Sequence, residues 1–355
     1  MKILYVGPLW FGSTSLQRMY SLQVIGHHIH PIDTLPARIL GLQHNLLWRV
    51  ANRLYRGFDW AGANSAIINA VGKQPFDVLW LDKALKIRPQ TLMRVKSLSP
   101  KIIIVGYSPD DMAGSHNQTQ RFLKSLKYYD VFFTTKTYGV SELKAMGCKD
   151  VRFVNNAYDP DTHKPCQISE KEKQALGGQV GFIGDYERER AEAIRFLADN
   201  GIKVRIWGTN WNKMPPHRNI ITEGRPLWGD NYAKAICSFD INLCFLRKIN
   251  RDLQTTRSIE IPACGAFMLA EQTTEHLMLF EDGKEAAFFF NNEELLQKCN
   301  YYLKHETERR NIAFAGMKRC LSSGYDNNNV IASMMDTVKR IATYHPAENR
   351  GIVKS

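Results

Sequence analysis

The sequence predicts an α/β protein built from two doubly wound domains whose sheets face each other across a cleft. Three observations carry this reading. The chain has 355 residues, too many for one ordinary core and suited to two domains of about 150–180 residues. Apolar runs of strand length alternate with amphipathic stretches of helix length, the pattern of βαβ units and parallel sheets. The alternation lapses between Asp159 and Gly178, where Pro, Lys, Glu and Gln replace any apolar periodicity. The expected layout is a first domain over 1–163, a linker over 164–178, a second domain over 179–327, a last helix over 328–345 and a polar tail over 346–355.

The elements follow in order. In the first domain, strands are expected at Lys2–Val6, His28–Asp33, Asp77–Leu81, Lys101–Gly106, Val131–Thr134 and Val151–Val154, each a short apolar run. Amphipathic stretches near Leu16–Ile25, Arg38–Tyr55, Pro89–Ser97, Thr119–Tyr128 and Tyr138–Met146 fill the intervals as helices. In the second domain, strands are expected at Gln179–Ile183, Lys203–Trp207, Asp240–Cys244, Phe267–Ala270 and Ala286–Phe290. Helices are expected at Arg188–Asn200, Asp230–Ser238, Thr256–Ala263, Asn292–His305 and Glu306–Ser323, and a last one runs to Tyr344 before Pro346. Open sheets of this kind bind ligands beyond their strands' carboxyl ends.

Composition excludes several classes. With 44% hydrophobic and 23% charged residues the chain is globular. No stretch reaches the ~18–20 apolar residues needed to span a bilayer. Met1-Lys2 runs directly into Ile3-Leu4-Tyr5-Val6, a strand pattern without the longer apolar region of a signal peptide. Seven cysteines, odd in number and without a C-x-x-C pair, argue against a disulfide framework or a zinc site. The expected location is a reducing cytoplasm. The net charge of +12 is uneven: residues 1–163 hold 20 Lys and Arg against 11 Asp and Glu, and residues 164–355 hold 27 against 24. A basic half attracts nucleic acid, phospholipid headgroups or a phosphorylated glycan; a solvated surface in a basic protein is the alternative.

The stretch Thr255-Thr256-Arg257-Ser258-Ile259-Glu260-Ile261-Pro262-Ala263-Cys264-Gly265-Ala266-Phe267 is the most informative. A polar run opens a helix, and helix starts favour phosphate oxygens. Glu260, about one turn further in, can accept hydrogen bonds from a ribose diol. Together these suggest a nucleotide-sugar site, against an ordinary capped helix followed by a strand.

This stretch is similar to the donor-site signature of GT-B glycosyltransferases, in particular the CgeB-like (spore-maturation) branch, where T-x-R-x-x-E-x-P-A-C-G is a typical form. The similarity extends through Glu271, Phe280, Gly283 and Glu285 to Asn291–Tyr302. Upstream, Phe182-Ile183-Gly184 with Arg188 and Arg190 is similar to the family's Gly loop and first donor-domain helix. The resemblance covers most of residues 180–325 and the N-terminal half only loosely. It implies two Rossmann-like domains and transfer of a sugar from a nucleotide-diphosphate donor such as a UDP-sugar. The last helix would then return to the first domain. No metal is expected, because Arg190, Arg257 and the helix start at Thr255–Thr256 would carry the diphosphate charge. The nucleotide sugar is a co-substrate and no cofactor is expected.

Further donor-site candidates stand in loops after strands. Gly184 admits close backbone approach, and arginine can clamp phosphate bidentately; the resemblance implies Arg190 for the diphosphate, with Arg188 behind it, against a surface arginine paired to Glu187 or Glu192. Gly208 and Asn210 suit a turn at a sheet edge, where Trp207 and Trp211 offer flat faces for a base or sugar. Gly224-Arg225-Pro226-Leu227 resembles a loop beside the nucleobase. Related retaining enzymes carry two acids separated by seven residues, and here the pair reads Asp252 and Glu260. In the first half, Gly12 and Ser13 open a helix able to meet donor phosphates or the acceptor. Asp110 and Asp111 follow a strand and are candidates for a general base or acceptor contact, or else a helix cap.

The run His27-His28-Ile29-His30 reads as a strand start rather than a metal site. Residues 38–56 form a basic amphipathic pattern with Arg49, Arg53 and Arg56 on one face, suited either to packing or to peripheral contact with an anionic membrane. The acceptor is left open between glycan, lipid-linked, protein and nucleic-acid classes. The alternatives to a glycosyltransferase are a non-catalytic nucleotide-sugar or glycan binder and a basic nucleic-acid-binding protein, although no nucleic-acid-binding motif is present.

Overall fold

The computed structural model describes residues 1–41, 58–83 and 85–344. It divides into two compact units, one formed by Met1–Asn155 with the chain from Asn328 onward, the other by Asn156–Asn327.

The first unit holds β1 (Lys2–Gly7), β2 (His28–Asp33), β3 (Val78–Asp82), β4 (Ile103–Ser108), β5 (Val131–Thr134) and β6 (Val151–Phe153). They form one sheet in the order β2-β1-β3-β4-β5-β6, parallel throughout. Side chains alternate between the faces. Leu4, Val6, Leu79, Leu81 and Ile104 meet Ile67, Leu92, Phe122 and Leu143 in one core. Ile3, Tyr5, Val78, Trp80, Ile103 and Val105 enter another with Met19, Leu22, Ile331, Met334, Met335 and Val338. Helices on both faces explain why β3 and β4 are apolar without alternation and wholly buried. The last four of those side chains belong to helix Asn327–Tyr344, so the end of the chain covers the sheet formed by its beginning.

The second unit holds β7 (Gly178–Ile183), β8 (Val204–Trp207), β9 (Ile220–Thr222), β10 (Phe239–Cys244), β11 (Met268–Glu271) and β12 (Ala287–Phe289). Their order is β12-β11-β10-β7-β8-β9, again parallel. Strand order reverses between β7 and β10, the point where a crevice opens at the carboxyl edge of such a sheet.

Several expectations require correction. The division falls between Asn155 and Asn156, not after residue 163: Tyr158 is buried in the second unit's core, and its backbone exchanges hydrogen bonds with Tyr325 and Asn327. The supposed linker contains helix Glu170–Leu176, closed by a capping box between Ser169 and Glu172. It has no buried face, so no apolar period announced it. Helices Ala63–Lys73 and Thr274–Leu279 and the short strand β9 were likewise not expected. His28 and His30 lie on β2, with the His30 ring against Phe76. Of the basic stretch, helix Ala37–Leu40 is described; Arg49, Arg53, Arg56 and the tail 346–355 lie outside the described residues. Among the described residues, no helix is long and apolar enough to cross a membrane.

Candidate functional site

The loops after β7 and β8 are locked backbone to backbone. Gly184 N–H donates to the Trp207 carbonyl at 2.8 Å, and the Trp211 indole donates to the Gly184 carbonyl at 2.8 Å. Gly208, at φ +146, lies so close that a Cβ there would be 2.0 Å from the Gly184 oxygen. Trp207 and Trp211 are both 1% exposed, so they are packing residues and not the open platforms expected of them. Trp207 donates to the Leu176 carbonyl. Asn210 takes a left-handed turn and donates to Thr209, whose hydroxyl and N–H both bond Asp185.

Against this platform two arginines converge. Arg190, on helix Arg188–Asp199, is 5% exposed, and its Nη1 donates to the Asp185 carbonyl at 3.1 Å. Arg257 begins helix Arg257–Ala263, and its Nη2 reaches the Phe245 carbonyl at 3.4 Å. Both guanidinium carbons lie 5.6 Å from the centre of the Phe182 ring. A Cβ at Gly184 would stand 2.7 Å from Phe182 Cζ and 3.3 Å from Arg257 Nη1, so glycine there leaves room for the ring and for the guanidinium over it. The Nε atoms of both arginines are buried without a hydrogen-bond partner. Burial, and next the charge of Arg257, lower the Arg190 pKa to about 10, with Glu187 offsetting only part. Glu187 is shared, 3.7 Å from Arg190 and 2.9 Å from Arg247. Two like charges held together with unsatisfied Nε donors, where the strand order reverses, are an arrangement chemically suited to a compact anion. Arg188 does not join them: its side chain is 82% exposed and pairs with Glu192 at 2.8 Å.

Glu260 lies one turn beyond Arg257 and is buried. Its Oε2 accepts from the Tyr232 hydroxyl at 2.5 Å, and its Oε1 is 3.8 Å from His163 Nε2. The His163 and Tyr232 rings meet edge to face at 5.5 Å. Because His163 Nδ1 accepts from the Asp159 N–H, its Nε2 carries hydrogen in the neutral form and faces the carboxylate. Burial, then the Glu260 charge, push the Tyr232 hydroxyl well above its usual range. Neither Tyr232 nor His163 was anticipated, since nothing near them in sequence marks them out.

The turn ahead of Arg257 is held from below. Thr255 N–H donates to Ser258 Oγ at 2.9 Å, and Ser258 Oγ lies 2.7 Å from His276 Nε2. His276 Nδ1 bonds the Glu271 carbonyl, which can only accept, so Nδ1 carries the hydrogen and Ser258 donates to Nε2. Burial lowers the His276 pKa to about 4. Thr256 caps the helix without a side-chain bond, and with only seven residues this helix is a minor source of anion affinity compared with the arginines. Asp252 is buried in the preceding loop, its N–H closing onto the Arg247 carbonyl.

The remaining candidates lie in the first unit. Ser13 accepts from Leu16 N–H as the N-cap of helix Thr14–Val24 and donates to the Pro8 carbonyl, next to Gly12 at φ +89. Asp110 pairs with Lys83. Asp111 Oδ1 accepts from the N–H groups of Ala113 and Gly114, which makes it a turn-forming residue. A buried cluster that sequence reading missed adjoins them: Arg18 clasps Asp82 through Nε and Nη2 at 2.7 and 2.9 Å, and Tyr5 donates to the same carboxylate.

Residues 188–336 match the family described as glycosyl transferase-like. By sequence, no curated protein matches the chain. By structure it is similar to Anabaena HepE in complex with UDP-glucose, with a TM-score of 0.64 and 12% identity, covering 96% of this chain and 100% of that one. It is also similar to sucrose-phosphate synthase from Thermosynechococcus elongatus, with a TM-score of 0.65 and 10% identity over 97% and 99% of the two chains. The trehalose-6-phosphate phosphatase N-terminal domain of Candida albicans gives 0.67 and 13% over 96% and 97%. With its two six-stranded parallel sheets flanked by helices, the chain has the GT-B fold, and its segment 188–336 is glycosyl transferase-like.

Proposed function

We propose that this chain transfers a sugar from a nucleotide-diphosphate donor, as a GT-B glycosyltransferase of the CgeB-like branch, and that Asn156–Asn327 binds the donor. The carrying observation is the buried Arg190 guanidinium beside the half-buried Arg257, each with an unsatisfied Nε, on the Gly184 platform. As the sugar leaves, negative charge grows on the diphosphate. Preoriented arginines stabilise that charge without reorganising, which supports metal-independent chemistry with no cofactor. Glu260, about one turn along the same helix, is assigned to the ribose hydroxyls, with Tyr232 fixing one of its oxygens and the other turned toward His163. The UDP-glucose held by HepE supports UDP-sugars as the first donors to try.

Calorimetric titration with UDP and UDP-glucose tests this reading. The wild-type chain is expected to bind both, and Glu260→Ala to weaken them about tenfold, as for one charged hydrogen bond. Binding unchanged in that variant would remove Glu260 from the site.

The first unit is assigned to the acceptor. The excess of Lys and Arg over residues 1–163 supports an anionic acceptor or a peripheral anionic surface. Asp110 is held by its ion pair to Lys83, and its assigned role is orientation of the acceptor. Asp110→Asn should leave UDP affinity unchanged and slow transfer about tenfold. Equal loss of UDP binding would move Asp110 to the donor side.

A further inference from the structure

Three of the seven cysteines meet at one place. A surface cavity of about 560 Å³ in the second unit is lined by Cys166, Cys237 and Cys264, with Arg309, Arg310 and Met317. Cys166 and Cys237 are partly exposed, and Cys264 is buried. Cys237 Sγ donates to the Cys264 carbonyl at 3.4 Å, Cys166 Sγ donates to the Lys164 carbonyl at 3.4 Å, and the Cys237 thiol interacts electrostatically with those of Cys166 and Cys264. Among the described residues, no group of three or more His, Cys, Asp or Glu is placed to hold a metal ion, so the cluster is read for thiol chemistry.

We propose that Cys237 and Cys166 form a peroxide-oxidisable thiol pair, closing to a disulfide between the segments that carry His163 and Tyr232. Cys237 is the attacking sulfur. Hydrogen bonding, first from Cys264 and then from Cys166, outweighs burial and holds its thiol below the usual range, while the Cys166 thiol is raised, first by burial and then by the charge of Cys237. Reactivity follows thiolate character and access. The Cys237 thiolate attacks one oxygen of hydrogen peroxide, the O–O bond breaks, and the departing hydroxide takes a proton to become water. The resulting sulfenic acid is attacked by the Cys166 sulfur, the S–O bond breaks, and a second water leaves. Two thiols and one peroxide thus give one disulfide and two waters.

Cys166 is the resolving partner because it follows Pro165 in an irregular segment, which can shift to meet disulfide geometry. Cys264, at the C-cap of helix Arg257–Ala263, is fixed by that helix.

The placement has a consequence. Cys166 is three residues beyond His163, and Cys237 is on helix Asp230–Ser238, which carries Tyr232. Those two side chains flank Glu260. Closing the bridge pulls their backbones together and disturbs the carboxylate between them. This consequence rests on the donor-site reading; the thiol chemistry does not.

The test treats the reduced full chain with stoichiometric hydrogen peroxide, blocks remaining thiols and maps peptides by mass spectrometry. The expected result is loss of two of the seven thiols as a single Cys166–Cys237 bridge, reversed by dithiothreitol. Cys166→Ser should leave Cys237 as a sulfenic acid trapped by dimedone. A Cys237 that survives as thiol, or that pairs with Cys264, overturns the proposal. UDP titration of the oxidised chain should show about tenfold weaker binding, restored on reduction. Unchanged affinity in a bridged chain overturns the coupling. A reduced chain that never binds UDP overturns the donor reading and leaves the mapped bridge standing.

Discussion

Arg190→Gln is expected to slow donor-dependent transfer by about 10²–10³, the cost of removing one preorganised donor from a developing anion, while leaving the ligand-free chain at least as stable as wild type. The second half of this expectation distinguishes a binding arginine from a structural one. Arg190 is buried beside Arg257, and its pKa falls well below the usual arginine range, to about 10. The unfolded chain therefore holds that proton more tightly than the folded chain does. The penalty is fully present below about pH 10 and is relieved only as pH rises above it toward the usual arginine range. It amounts to something on the order of 3 kcal/mol against the free fold. Glutamine removes the charge and the penalty, offset by about 1 kcal/mol for the lost bond to the Asp185 carbonyl. A bound diphosphate removes the same penalty by neutralisation, so UDP should raise the unfolding temperature of wild type strongly and of Arg190→Gln scarcely. A variant that melts earlier than wild type yet keeps the full UDP-induced shift would make Arg190 a structural residue.

His276 should make the second unit acid-sensitive. Burial holds its pKa near 4, against the usual 6.5. Between those values the unfolded chain takes up a proton that the folded chain refuses. Stability is therefore unaffected by His276 above about pH 6.5, declines as pH falls through that window and levels off below about pH 4. The cumulative loss is about 3 kcal/mol. Carboxylates contribute their own acid dependence, so the informative quantity is the difference between wild type and His276→Gln in urea unfolding across this range. The variant should show the shallower decline; parallel profiles would mean that His276 does not titrate there. The same protonation converts Nε2 from acceptor to donor, and Ser258, which already accepts from Thr255 N–H, loses the partner for its own hydroxyl. The turn leading into Arg257 then loosens, so UDP affinity of the folded chain should hold down to about pH 5 and fall only as pH approaches the folded His276 value of about 4.

Strands in the two sheets were legible wherever the chain buries them on both faces. β1, β3 and β4 are largely apolar runs whose position in the sheet demands that composition. β9 is a three-residue strand at the end of its sheet with two exposed side chains, and so little apolar pattern carries no signal. Helix Glu170–Leu176 buries nothing and is sustained by its cap and by the Lys234–Glu172 ion pair. Its polar composition reads as a linker because periodicity reports burial and not helicity as such.

The candidate site divides along the same line. The sequence by itself determined the α/β class and placed Gly184, Arg190, Arg257 and Glu260 in segments that follow strands, because these properties follow from local period and residue type. It could not distinguish Arg188 from Arg190, two neighbours on one helix of which one is solvated and the other buried; the direction of a side chain is set by what packs against the helix. Nor could it show that Trp207 and Trp211 are core, that Asp111 closes a turn, or that Tyr232 and His163 come to Glu260 from segments 28 and 97 residues away. Those relations exist only once the sheets order their strands, since contact across a doubly wound fold is decided by strand order and burial, neither of which is a property of any stretch of chain taken alone.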